Sequence, residues 1–278
     1  MRWNIVTDSS CDLLPEKGQG GEIQISSVPF VISVGSCSFI DNEELDTLDM
    51  VETMERQKGP SYTACPSPQG WRTEFEKADC TIALTISSQL SGSMNSAMIA
   101  RNMVLEEHPE KRITVLDSCS TGPELVLAVK EIRRQIECGT SFEDIVTRTH
   151  TFFQKTSIDF ALCSFDNLVK SGRISKFKGL IARKLGLWGI GAGSTDGRIV
   201  MQGRERGAKR VMEHLLAGMK ENGFHGGEAA ISHCHNPDLA NKLKNLILNT
   251  WRNSDVTVLP TRGLCSYYAE RGGLILAY

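Results

Sequence analysis

Three short runs constrain the fold of this chain more than any other feature. Residues 81–86 (TIALTI) and 113–116 (ITVL) are rich in apolar and β-branched side chains, as buried strands are, and residues 3–7 (WNIVT) form a first short predicted strand. Each stops abruptly in small polar residues. Asp8, Ser9 and Ser10 follow the first; Ser87, Ser88, Gln89, Ser91, Gly92 and Ser93 the second; Asp117, Ser118, Cys119, Ser120 and Thr121 the third. Helical spacing follows the second ending, with Met94, Ala97, Met98, Arg101 and Leu105 on one predicted face. It also follows the third, where Pro123 takes the first helical position and Leu125, Val129, Ile132 and Ile136 repeat at helical intervals. Strands alternating with helices predict a parallel sheet under right-handed crossovers, whose ligands bind beyond the carboxyl ends of the strands. The three polar endings are therefore expected on one rim. Unpaired N–H groups and the positive dipole end of the helix that starts near Gly92 suit a carboxylate or phosphate, while serine and asparagine at such a turn are also ordinary caps.

Between the first two strands, residues 23–34 carry strand-like side chains around Pro29. A helix capped by Asp46 or Thr47 is predicted as far as Gln57, with Leu48, Val51 and Met54 on one face. Pro66 and Pro68 forbid regular helix or central strand, so Thr63 is expected on a loop, ahead of a helix over 69–78. Ser141 with Asp144 starts a helix carrying Phe142, Ile145, Val146, Thr149 and Phe153. After residue 155 the pattern changes. A strand at 158–164, a helix at 177–185 and a strand at 187–192 lead to the hairpin dipeptide Asp196-Gly197, with 199–202 returning. A helix over 205–219, strands at 229–233 and 256–259, a helix over 237–249 and a final strand at 274–278 complete the reading. The expected architecture is α/β: a Rossmann-like domain with a parallel sheet over residues 1–155 and a basic α+β domain over 156–278, with the ligand in the cleft between them.

No apolar run approaches the ~20 residues of a membrane span, and the N-terminus enters a strand without a signal sequence, so cytoplasmic location without membrane insertion is expected. Nine cysteines, an odd number without a C-x-x-C pair, read as reduced thiols. His233-Cys234-His235 would be split between two faces of a strand, and no further ligand stands at a metal-site spacing, so neither metal nor cofactor is expected. The net charge of −2 conceals an asymmetry of −9 over residues 1–155 and +7 over 156–278. Residues 167–210 hold eleven basic side chains against Asp196 and Glu205, a surface for an anionic ligand or acidic partner. No nucleic-acid-binding signature accompanies that charge, so nucleic acid is not an expected partner.

Taken in order, IVTDSSCDL at 5–13, T-x-x-P-S at 63–67, LSGSMNSA at 90–97, LDS at 116–118 with Ser120 and Thr121, and SGRIS at 171–175 form a set that resembles the DegV family of bacterial fatty-acid-binding proteins. The likeness spans essentially the whole chain. It implies that Thr63 and Ser91 hydrogen-bond a long-chain fatty acid carboxylate, assisted by main-chain N–H groups near Gly92, with the acyl tail in an apolar tunnel between the domains. It also implies that Arg173, beside the basic Lys170, Lys176 and Lys178, serves docking or phosphoryl transfer with a fatty acid kinase subunit. Two departures stand out. The family's T-S-Q-P-S reads Thr63-Ala64-Cys65-Pro66-Ser67 here, and where many members carry T-H-T-G this chain has Thr261-Arg262-Gly263-Leu264, which makes Arg262 the expected replacement for the usual histidine at the head group.

The leading expectation is a monomeric carrier of one palmitate-like fatty acid that presents it to a kinase and has no catalytic residue of its own. The alternative is an enzyme or accessory subunit acting on a small phosphorylated or carboxylated metabolite. Against that alternative, the chain has no G-x-S-x-G elbow and no Walker sequence. A DNA-associated regulator acting through residues 167–210 is the third reading.

Overall fold

The computed structural model describes residues 1–16, 22–57, 59–174 and 186–278. In the first part of the chain run β1 (Trp3–Asp8), β2 (Ile23–Val28), β3 (Val31–Val34), β4 (Cys37–Ile40), α1 (Thr47–Arg56), β5 (Ser61–Ala64) and α2 (Pro68–Phe75). They are followed by β6 (Cys80–Thr85), α3 (Ser93–Glu107), β7 (Arg112–Asp117), α4 (Pro123–Glu137) and α5 (Phe142–Phe153). The rest comprises β8 (Ile158–Leu162), α6 (Asp166–Lys170), β9 (Leu187–Gly193), β10 (Ile199–Arg206), α7 (Ala208–Glu221), β11 (Glu228–His233), α8 (Pro237–Thr250), β12 (Asp255–Pro260), α9 (Gly263–Ala269) and β13 (Leu274–Ala277). The helix expected over 177–185 lies outside the described residues.

The three constraining runs become β1, β6 and β7 of a wholly parallel sheet ordered β2-β1-β6-β7. Every residue of β6 is buried, because helices cover both faces. Ile5, Ile82 and Leu84 pack against Leu125, Val129 and Ile132 of α4 and Ile145 of α5. On the other face, Val6, Ala83 and Val115 meet Trp71 and Phe75 of α2 and Ala97, Ala100 and Val104 of α3. The predicted α3 face is therefore rotated. Its buried line is Ser93, Ala97, Ala100 and Val104, with Met94, Met98 and Leu105 flanking it, because alanines let the helix lie close on the sheet.

The segment around Pro29 does not stay in one sheet. Pro29 has no N–H for the ladder, and β2 ends one residue before it. The chain then forms a small antiparallel sheet ordered β4-β3-β5, turned at Gly35 with φ of +60°. Thr63 belongs to its strand β5, paired with Ile32, rather than to a loop; the prolines act only beyond it, and Pro68 opens α2 behind the Ser67 cap.

All strands of the third sheet lie between residues 158 and 277, ordered β10-β9-β8-β13-β11-β12. Among the described strands of this sheet only β11 and β12 pair in parallel, the mixture of hairpin and crossover expected of an α+β unit. Leu274 and Leu276 of β13 face Val211, Leu215 and Leu243 of α7 and α8. Ile275 lies in the opposite core, with Phe160, Leu162, Tyr267 and residues of β3 and α1. That second face lies toward the parallel sheet, and the cavity described next opens between them.

Candidate functional site

The polar endings meet on one rim, tied together by two carboxylates. Asp8 Oδ1 accepts from the Ser10 amide (3.2 Å) and hydroxyl (2.5 Å), and Oδ2 accepts from the Ile86 amide (3.0 Å) and the Ser93 hydroxyl (2.6 Å). Burial pushes the Asp8 carboxyl up, and these four donors oppose that rise. Asp117 accepts from the Ser88 amide at 3.1 Å and the Cys119 amide at 2.9 Å, while the Ser87 amide donates to the Ser120 carbonyl at 2.9 Å. Glu124, raised by burial, accepts from Ser120 Oγ and from Thr156 Oγ1 at 2.5 Å.

Above this rim is a cavity of about 380 Å³, in the range of small-molecule sites. Ile86, Leu90, Ile158, Phe160, Leu162 and Ile275 give it aliphatic and aromatic walls, drawn from both large sheets. Thr63, Ser91 and Gly92, expected at the head group from sequence, all line it, and so does Arg173, expected to serve docking or phosphoryl transfer. Cys65 connects the first three: it follows β5 and borders Gly92, where an added Cβ would lie 3.6 Å from its Sγ. Gly92 is the cap of α3 and has no side chain to offer the helix, while the Ser93 amide donates to Ser91 Oγ at 3.3 Å. Arg173 is held over the loop by donation from Nε to the Leu90 carbonyl (3.1 Å) and from Nη1 to the Ser171 carbonyl (2.9 Å). Lys176 and Lys178 lie outside the described residues.

Arg262 does not line this cavity, which corrects the expectation that it replaces the family histidine there. It is 5 % exposed and turns back into the protein. Nη1 donates to Ser27 Oγ (2.8 Å), Nη2 donates to the Asp41 carbonyl (2.7 Å), and Nε lies 3.9 Å from the Asp41 carboxylate. The same carboxylate accepts from the Gly263 and Leu264 amides, each at 2.8 Å, and so caps α9. The residue that does face Thr63 is Tyr268, farther along α9: its hydroxyl is 3.0 Å from Thr63 Oγ1, and its ring lines the cavity. The sequence reading missed Tyr268, since α9 is short, carries no cap signal, and meets Thr63 across 205 positions.

A family described as "Uncharacterised protein, DegV family" matches residues 2–277. The chain belongs to the DegV family. A DegV domain-containing protein of Streptococcus pyogenes serotype M1 is 37% identical over 278 residues, covering 100% of this chain and 99% of the relative. Among solved structures of DegV proteins, the fatty acid kinase (Fak) B3 protein of Streptococcus pneumoniae, loaded with linoleic acid, superposes with a TM-score of 0.96 at 37% identity, covering 100% of this chain and 99% of that one. A DegV family protein of Eubacterium eligens loaded with heptadecanoic acid gives 0.94 at 38% identity, covering 99% and 98%. The DegV assignment accounts for the parallel sheet, the second sheet and the cavity between them. Among the described residues, no group of three or more His, Cys, Asp and Glu could hold a metal ion, and no helix is long and apolar enough to cross a membrane.

Proposed function

We propose that this chain binds one long-chain fatty acid and presents it to a kinase partner, inside the cell and without turnover of its own. The observation that carries the reading is the composition of one cavity. Hydroxyls from Thr63, Ser91 and Tyr268, with the Arg173 guanidinium, border a space whose other walls are largely aliphatic. Such donors suit a carboxylate, and each methylene of the tail moved from water into the cavity contributes about 0.8 kcal/mol. The relatives loaded with linoleic and heptadecanoic acid support the same ligand class. In this reading the carboxylate accepts from Thr63 and Ser91, with the turn at Gly92 beside it. Arg173 and Arg198, which both line the cavity, offer a cationic approach to an acidic partner. We set the boundary between the two domains at residues 155 and 156, after the last helix on the parallel sheet and before the first strand of the six-stranded one.

The test has two parts. Native mass spectrometry of gently purified protein is expected to show one co-purifying fatty acid, and an empty protein that also refuses added palmitate would defeat the proposal. Thr63→Val combined with Ser91→Ala is expected to weaken palmitate by roughly 10- to 100-fold, about 1–3 kcal/mol, since a desolvated carboxylate loses two donors. Unchanged affinity would remove both residues from the head-group site.

A further inference from the structure

The wall that meets the acyl tail has a construction of its own. β8 presents Ile158, Phe160 and Leu162 to the cavity at every second residue, while Asp159 and Ala161 face α7 and its neighbours. Four residue steps of about 3.4 Å give this wall a length of roughly 14 Å. Across the ladder, the register partner of Phe160 on β9 is Gly191. A Cβ placed on Gly191 would lie 2.3 Å from Phe160 Cζ and 2.6 Å from Cε2, so the ring rests directly on bare glycine backbone. Two residues on, a Cβ on Gly193 would meet Ile158 Cγ2 at 2.6 Å. Both β8 side chains thus lean over β9 where it has no side chains, and the space they vacate belongs to the cavity.

The geometry points to Phe160 and Ile158, seated over Gly191 and Gly193, as the pair that limits how much acyl bulk the protein accepts. The inference rests on the fatty-acid reading above and adds to it the determinant of tail selection. The two glycines differ in what they permit. A methyl at Gly191 would also come within 2.8 Å of the Val200 carbonyl oxygen, backbone that cannot move cheaply, so that position cannot be varied cleanly. At Gly193 the obstacle under 3 Å is the Ile158 Cγ2 methyl, side chain and not backbone, and φ there is not positive, so alanine is accommodated by rotating Ile158 about χ1 into the cavity.

Wild type, Phe160→Ala, Phe160→Leu and Gly193→Ala are to be titrated with a saturated series from lauric to arachidic acid. Phe160→Ala is expected to raise the affinity for arachidic relative to palmitic acid by about tenfold, the scale on which a hydrophobic pocket discriminates added bulk. Phe160→Leu should move the ratio the same way by less, and Gly193→Ala should move it the opposite way. If Phe160→Ala fails to fold, the other two variants still carry the test. Ratios that stay at the wild-type value while palmitate still binds would overturn this inference alone. If wild type binds no acid of any length, the fatty-acid reading falls and takes this inference with it.

Discussion

Asp12 lies beneath the cavity wall, and its two oxygens have unequal surroundings. Oδ1 accepts from the Arg262 amide at 2.8 Å, while Oδ2 has no hydrogen-bond partner and lies beside Gly122. Burial, only partly offset by hydrogen bonds, pushes this carboxyl up from 3.8 to about 6. The consequence for stability has a definite sign. The unfolded chain loses the proton near pH 4 and the folded chain near pH 6, so in that window the folded state holds more protons. The contribution of Asp12 is full below pH 4 and is lost as pH rises to 6, by at most about 3 kcal/mol. Asp8, Asp41 and Glu124, also raised by burial, slope the same way. Asp12→Asn keeps the acceptor for Arg262 and removes the ionisation. Urea unfolding from pH 4 to 7 should therefore show a shallower decline in the variant than in wild type, and equal slopes would show that Asp12 does not titrate in this range.

At the scale of elements, the β9–β10 turn fastens the six-stranded sheet to the rim of the parallel one. The Ser194 amide donates to the Arg198 carbonyl at 2.8 Å, the Arg198 amide donates to Ser194 Oγ at 2.9 Å, and Ser87 Oγ donates to the Gly197 carbonyl at 2.7 Å. Gly197 has φ of +83°, and a Cβ there would stand 2.3 Å from Ser87 Oγ and 3.0 Å from Cys119 Cα. Gly197→Ala is expected to destabilise by about 1–3 kcal/mol and to speed amide exchange in β9 and β10. Ser87→Ala, which removes one buried hydrogen bond, should cost about 1 kcal/mol. A Gly197→Ala protein as stable as wild type would refute the close approach. This turn was legible in the sequence because Asp196-Gly197 carries its own conformational preference. The strand β6 was legible because burial on both faces leaves a run of apolar and β-branched residues, and β1 and β7 because theirs end, as it does, in small polar residues. The sheet of β3, β4 and β5 was not, since four-residue strands take their identity from partners distant in sequence, as Thr63 does from Ile32. Arg262 was misread for a related reason. It stands where the family carries a histidine, but Asp41, buried and distant in sequence, determines where its side chain goes.

Across the whole molecule, the cavity takes one wall from the ends of the parallel sheet and another from β8, β9, β10 and β13, so a ligand filling it touches both units at once. Glu124 adds a direct tie, holding Ser120 on the rim and Thr156 just before β8. Leu127 of α4 packs with Ala230 and Ala277 of the six-stranded sheet beside it. A ligand bridging the two units should therefore stabilise them together. At a free concentration of about 100 times Kd, binding to the native state alone adds about 2.7 kcal/mol. For a chain of this size, that corresponds to a rise in Tm of roughly 5–10 °C. Palmitate is expected to produce this rise in a single thermal transition. The Thr63→Val, Ser91→Ala protein should show a smaller rise at equal total ligand, because its affinity is lower while its apolar walls are intact. Two transitions, of which palmitate moves only one, would place the ligand within a single unit and contradict a site built from both sheets.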